Sequence, residues 1–223
     1  MRELDYRHPR EEEKLHRLLK SPVIQAVLGA YQEIRAGTSE FARLRNRNFL
    51  VTESSSPVLY RLYRQARRRV GVTEPIPLYL EFDYGYTARA EGTDGNCALL
   101  LSGRCLEEMD SQELLALLGS QLAHIRFGHV KYLQVSELLD QLLRNIPFVG
   151  GAAGKTAGAL LLDWKQCAQM TADRGGAVAA GSADAVCRML QRRMGGSLKN
   201  PGADLTGGEA FYDGVCTVEG TAA

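Results

Sequence analysis

At 223 residues, with 45% apolar and 24% charged content, the chain has the composition of a soluble globular domain long enough to bury a sizeable core. Its 27 basic and 26 acidic residues leave a net charge of +1, which excludes a whole-molecule field for polyanions, and no nucleic-acid partner is expected. Five cysteines (Cys97, Cys105, Cys167, Cys187, Cys216) are odd in number and lack C-x-x-C spacing, against a disulfide framework and against a thiolate zinc site. The first residues, MRELDYRHPREEEKLHRLL, are charged throughout and contain no signal-peptide core, so a reducing, cytoplasmic location is expected.

In chain order, residues 9–36 read as two helices. Pro9 and the acidic run Glu11 to Glu13 start the first, and Ser21-Pro22 starts the second, with Val23, Val27, Tyr31 and Ile34 as its apolar face. Asn48 to Thr52 is a short strand. Ser55-Ser56-Pro57 opens a helix through Arg69 with Leu59, Leu62, Tyr63 and Ala66 on one side, and Arg67-Arg68-Arg69 read as a solvated terminus favoured by the helix dipole. Pro75 to Tyr86 and Cys97 to Ser102 carry strand signals, and the glycine-containing residues 87–96 between them suit a turn. Arg104 to Asp110 is a short helix, and Asp110-Ser111-Gln112-Glu113 has the form of a capping box for the long helix after it.

Residues 130–145 continue helically. Ile146 to Leu162, IPFVGGAAGKTAGALLL, is apolar and glycine-rich, with Lys155 at its middle. It is short for a membrane span and is expected to form a hairpin over a buried surface or cleft, peripheral membrane contact being the alternative. It misses the P-loop pattern, because Val149 stands where a glycine is needed. Residues 163–180 and 182–194 are two further helices, and 196–223 is expected to be a flexible glycine-rich tail. The fold class is α+β, predominantly helical, with a small sheet beside a central helix and one domain over 1–195.

That central helix is Leu114 to His129, LLALLGSQLAHIRFGH. Ser120, Gln121 and His124 fall inside an apolar run, where polar groups need a partner or a role. Ser120 and His124 are four residues apart, the spacing at which H-E-x-x-H sets two histidines on one helix face to hold zinc, with the glutamate as general base. Here only the second histidine is present. His129, five residues on and past Gly128, lies off that face and is expected to cap the helix.

The stretch is similar to E-L-x-x-x-L-G-H-E-L-x-H-x-x-x-G-H of the zinc metallopeptidase family that includes the CAAX prenyl proteases and HtpX. Glu113, Leu114, Leu118, Gly119, Leu122, His124, Gly128 and His129 stand in register with it. Trp164 to Arg174, WKQCAQMTADR, resembles that family's W-x-x-x-x-E-x-x-A-D-R, and the likeness runs over about residues 8–195. It implies a gluzincin-like fold in which the first histidine ligand is replaced by Ser120, the general base by Gln121 and the third ligand by Gln169. His124 is the one residual ligand, and Asp173 holds the place of the aspartate that orients a ligand histidine.

Serine and neutral glutamine are poor zinc donors, and Gln121 cannot take a proton from water. Zinc is therefore not expected, nor any other cofactor, and His124 is expected to be hydrogen-bonded to Ser120, Gln169 or Asp173. Cys167 is the cysteine closest in sequence to this cluster, with a core thiol as the plainer reading. The expected function is that of a pseudopeptidase that binds a peptide or protein partner in the former cleft, with the strand Cys97 to Ser102 free to pair with it. The alternative is a repurposed, metal-independent enzyme built on Ser120, His124 and Asp173.

Overall fold

In the computed structural model of the chain, the described residues are 5–36, 44, 46–83, 85–93, 95–145 and 151–194. In chain order the elements are α1 (Glu11–Leu19), α2 (Pro22–Ala36), β1 (Phe49–Leu50), α3 (Pro57–Val70), β2 (Leu78–Glu81), β3 (Ala88–Thr93), β4 (Asn96–Ser102), α4 (Gly103–Glu108), α5 (Ser111–Arg126), α6 (Val130–Asn145), α7 (Ala152–Ala180) and α8 (Ala183–Arg193). The protein is mostly helical with a small mixed sheet, an α+β arrangement.

Helix α5 starts where its cap dictates. The Asp110 carboxylate accepts from the backbone N–H groups of Gln112 and Glu113, each at 2.8 Å, and Glu113 accepts from Asp110 N at 2.9 Å. Three backbone donors that the helix start would leave orphaned are thereby satisfied. Glu113 is fully buried, and Arg192 Nε of α8 lies 2.8 Å from its carboxylate. Every residue from Glu113 to His124 is buried, so α5 is surrounded.

Its closest neighbour is α7, and small residues set the approach. A methyl group on Gly119 would stand 2.2 Å from Ala179 Cβ and 2.9 Å from the Gly175 carbonyl, while one on Gly176 would stand 2.7 Å from the Ala116 carbonyl. The two backbones touch where side chains are missing, and this lays the 169–173 segment of α7 alongside His124.

The strand order is β1-β2-β4-β3, with β2 and β4 parallel and the outer pairs antiparallel. Residues 98–101 of β4 are buried without interruption, as in a central strand covered on both faces. The strand expectations are corrected in two places. Residues 88–93 form the edge strand β3, with the turn confined to its end, and the first strand is limited to Leu78–Glu81. Strand β4, expected to offer a free edge, is hydrogen-bonded on both sides and has none.

One core joins the sheet, α3, α5 and the last turns of α7. A second joins α1, α2, α6 and the first half of α7 around Trp164. Among the described residues of the glycine-rich run, Ala157, Leu160 and Leu161 serve this second core. Residues 152–162 are not a hairpin but the first three turns of α7, where several alanines offset Gly154 and Gly158, and Ala157 and Leu161 are buried. Residues 146–150 of that run and the tail 196–223 lie outside the described residues. No helix among the described residues is long and apolar enough to cross a membrane, and no disulfide forms among them.

Candidate functional site

The α5–α7 crossing brings together the residues singled out in sequence. Ser120, Gln121 and His124 are all buried on α5, with Gln169 exposed and Asp173 half-buried on α7. Of the expected partners His124 meets Gln169, and it makes a further connection that was not expected. His124 Nδ1 lies 3.1 Å from Nδ1 of His129, and His129 Nε2 lies 3.0 Å from Glu11 Oε1. Thr171 donates its hydroxyl to the other Glu11 oxygen and accepts from the backbone N–H of His8 at 2.9 Å. Arg7 Nε stands 3.5 Å from the same carboxylate.

His129 caps the end of α5 through its backbone N–H, as expected, but its ring is a buried partner, with 1% of its area exposed. Gly128 is the cause. Its φ of +67° ends α5 in a left-handed residue, and the chain folds back so that His129 N donates to the His124 carbonyl at 2.9 Å. Trp164 meets the His129 ring edge-on at 5.7 Å, and Phe127 lies over it with a 24° interplanar angle. The imidazole is held on every side.

The electrostatics follow from burial. Enclosure pulls the His124 pKa from its ordinary 6.5 down to about 3, aided by the charge of His129 and Arg193, while a hydrogen bond to Gln169 opposes the drop. It is a neutral imidazole at pH 7. Burial works against the Glu11 carboxylate as well, yet hydrogen bonding to His129 and Thr171, with the charges of His129 and Arg7, brings its pKa below the ordinary value. An ionised Glu11 accepts from His129 Nε2, and one proton lies between the two Nδ1 atoms.

On its other side His124 meets Gln169 and the field of Arg193. Gln169 Nε2 donates to Asp173 Oδ1 at 2.8 Å. Desolvation lifts the Asp173 pKa to about 6 against the pull of Gln169 and Arg193. Ser120 Oγ is buried with no hydrogen-bond partner. The serine, histidine and aspartate of a nucleophilic relay are therefore not linked: Ser120 bonds to neither, and Asp173 bonds to Gln169. An activated serine needs its base within hydrogen-bond reach, and the other imidazole nitrogen of His124 is already engaged by His129.

The same geometry tests the fit of zinc. Among the described residues no group of three or more His, Cys, Asp or Glu side chains is placed to hold a metal ion. Ser120 and Gln169 contribute neutral oxygen or nitrogen atoms, and Gln169 is turned to Asp173. Three protein ligands of the anionic or imidazole kind are what a catalytic zinc takes. This donor set does not fit it.

Sequence reasoning missed Glu11, Thr171 and Arg193. The first reads as an ordinary acidic first-turn residue, and only tertiary contact buries it. Arg193, in the last turn of α8, contributes its charge to His124, Asp173 and Cys105 alike. Cys167 instead shares the fields of Asp163, Lys14 and Glu11, on the α1 side of α7. Cys105 is the thiol nearer to the Arg193 side.

No protein-family model matches the chain, and no solved structure matches it. Among curated proteins it is similar to the plastoglobule-localized metallopeptidase 48, chloroplastic, of Arabidopsis thaliana, with 24% identity over 201 residues that make up 86% of this chain and 56% of that protein. The chain spans a little over half the length of this curated relative. A relationship to metallopeptidases is what this similarity supports.

Proposed function

We propose that the chain is a pseudopeptidase of the CAAX prenyl protease and HtpX type, which has lost zinc and general base and binds an extended peptide or protein segment beside α5. The observation that carries this reading is the fate of His124. It is the one residual ligand, and its Nδ1 is committed to the His129–Glu11 pair while the remaining former positions are Ser120, Gln121 and Gln169. The hydrolytic step of the related enzymes has neither an anionic ligand set nor a base here.

Binding needs neither. Strand β3 pairs with β4 and forms one edge of the sheet next to α5, so an extended segment can add to it through main-chain hydrogen bonds. The partner segment then pairs with Ala88–Thr93 and not with Cys97–Ser102.

The test is to restore the family set with Ser120→His, Gln121→Glu and Gln169→Glu together, and to measure zinc by mass spectrometry. The wild type is expected to stay substoichiometric in added zinc and the restored variant to bind one ion. Stoichiometric zinc on the wild type would sink the reading. For the partner, amide exchange at residues 88–93 is expected to slow when an extended peptide from a random library binds. A library without any member that slows it would remove the binding half.

A further inference from the structure

Helix α3 carries Arg61, Arg64, Arg67, Arg68 and Arg69 and no acidic residue. Its buried face is Leu59, Tyr63, Ala66 and Val70. At about 100° per residue, Arg61, Arg64 and Arg68 project within about 50° of the direction opposite that face.

The arginines divide into two groups. Arg67 lies over the Tyr63 ring at 5.8 Å, and Arg69 donates to the Ala179 carbonyl at 2.7 Å, tying α3 to α7. These are structural. The side chains of Arg61 and Arg68 have no hydrogen bond or ion pair with any described residue, and that of Arg64 has one exposed counter-charge, Glu53, at 3.9 Å. With Gln65 and Arg69 they line a groove of about 470 Å³. Like charges one turn apart repel, and Arg61 stands too far from the helix end for the dipole to offset it. Arg61 adds no contact to the fold, and Arg64 and Arg68 add only an exposed ion pair and a last-turn charge.

Apolar side chains are exposed at the same end of the molecule. Val58, one turn before Arg61, is 60% exposed, and Phe49 and Leu50 of β1 are 52% and 42% exposed. Ser55 Oγ donates to the Leu50 carbonyl at 3.2 Å, which holds the end of β1 close to the start of α3. Cations beside exposed apolar groups match a phospholipid surface, which presents anionic headgroups over hydrocarbon. A single-stranded nucleic acid would want an aromatic platform among the arginines, and the tyrosines of α3, Tyr60 and Tyr63, line a different groove with Val51, Pro77 and Leu78.

We propose that the exposed face of α3, Arg61, Arg64 and Arg68 with Val58, docks on an anionic lipid surface. The patch acts locally, since the net charge of +1 gives no long-range attraction. This is separate from the proposed peptide site, which depends on β3 and α7.

The test is co-flotation of the full chain with phosphatidylcholine vesicles, with and without about 30% phosphatidylglycerol, in about 0.1 M salt. Binding is expected on the anionic vesicles alone, weakening as salt is raised. Replacing the three arginines by glutamine (R61Q, R64Q, R68Q) is expected to lower partitioning about 100-fold, at about fivefold per charge. Val58→Asp should lower it with the arginines intact. Without vesicles the triple variant should melt close to the wild-type temperature, because the lost repulsion offsets one exposed ion pair and one last-turn charge. Undiminished partitioning of the triple variant, or equal binding to pure phosphatidylcholine, overturns the proposal. So does retention by single-stranded DNA or polyglutamate without vesicle binding, and so does a clear drop in melting temperature, which would make the arginines structural.

Discussion

The two sides of His124 differ in how well their polar groups are satisfied. On the Nδ1 side, Glu11, His129 and Thr171 are each at most 2% exposed, and their polar atoms find one another across α1, α5 and α7. On the other side Ser120 Oγ is buried and alone, and the Asp173 carboxylate is held by one amide. Burial is tolerable for ions when it is paired and costly when it is not. The first side therefore acts as a structural clamp, and the second leaves a buried hydroxyl without a partner and a carboxylate held by a single amide.

The largest effect should come from breaking the clamp. Glu11→Ala leaves His129 buried without its carboxylate and Thr171 without its acceptor, and about 3–5 kcal/mol of stability in urea unfolding is expected to go. Glu11→Gln, which keeps an acceptor, should cost clearly less. Equal losses for the two would mean that the charge of Glu11 contributes nothing.

Next is the crossing that sets the two sides against each other. Gly119→Ala forces a methyl group toward Ala179 Cβ at 2.2 Å and the Gly175 carbonyl at 2.9 Å. A loss of about 2 kcal/mol is expected, the range of core overpacking, and a thermal melt reads it. An unchanged melt would show that α5 and α7 are not in contact there.

The pH dependence separates the sides by sign. The folded-state pKa of His124 is lowered from 6.5 to about 3, so the unfolded chain binds more protons in that interval, and stability falls as pH falls below about 6.5. For Asp173 the folded value is raised from 3.8 to about 6, the folded chain binds more protons there, and stability falls as pH rises through that interval. Between about pH 4 and 6 the two slopes oppose each other. Asp173→Asn removes the second and is expected to steepen the acid loss while adding up to about 2 kcal/mol above pH 6. A variant with the wild-type slope would show that Asp173 titrates as an ordinary surface carboxylate.

The smallest effect is the most telling for the Ser120 side. Ser120→Ala removes a hydroxyl with no partner and should leave stability unchanged or raise it by about 1 kcal/mol. A loss of more than that would mean that Ser120 makes a hydrogen bond in solution, and a serine-based chemistry would regain its footing.

Much of the frame was readable in the residues because it depends on local rules. The Asp110 cap, Pro57 at the start of α3 and the helical runs of α5 and α8 depend on neighbours a few positions away. The identity of the substituted positions was equally plain, since neutral Ser120, Gln121 and Gln169 are read directly. Strand β3 was not readable, because Arg89, Glu91, Gly92 and Thr93 lack strand-like hydrophobicity and pair only through β4. Nor was the start of α7, where glycines that signal a turn are carried in a helix by the core packed around Trp164.

What the sequence determined by itself is chemistry at named positions: His124 beside the neutral Ser120 and Gln121, a basic α3 without acids, and helices ended by their own caps. What the tertiary structure decided is who meets whom. Glu11 and His129 are 118 residues apart, and no spacing rule joins them. Their pairing arises because glycines at 119, 175 and 176 let two helices touch and Gly128 turns the chain back. Once burial removes water, a carboxylate must find a donor, and His129 is the imidazole within reach.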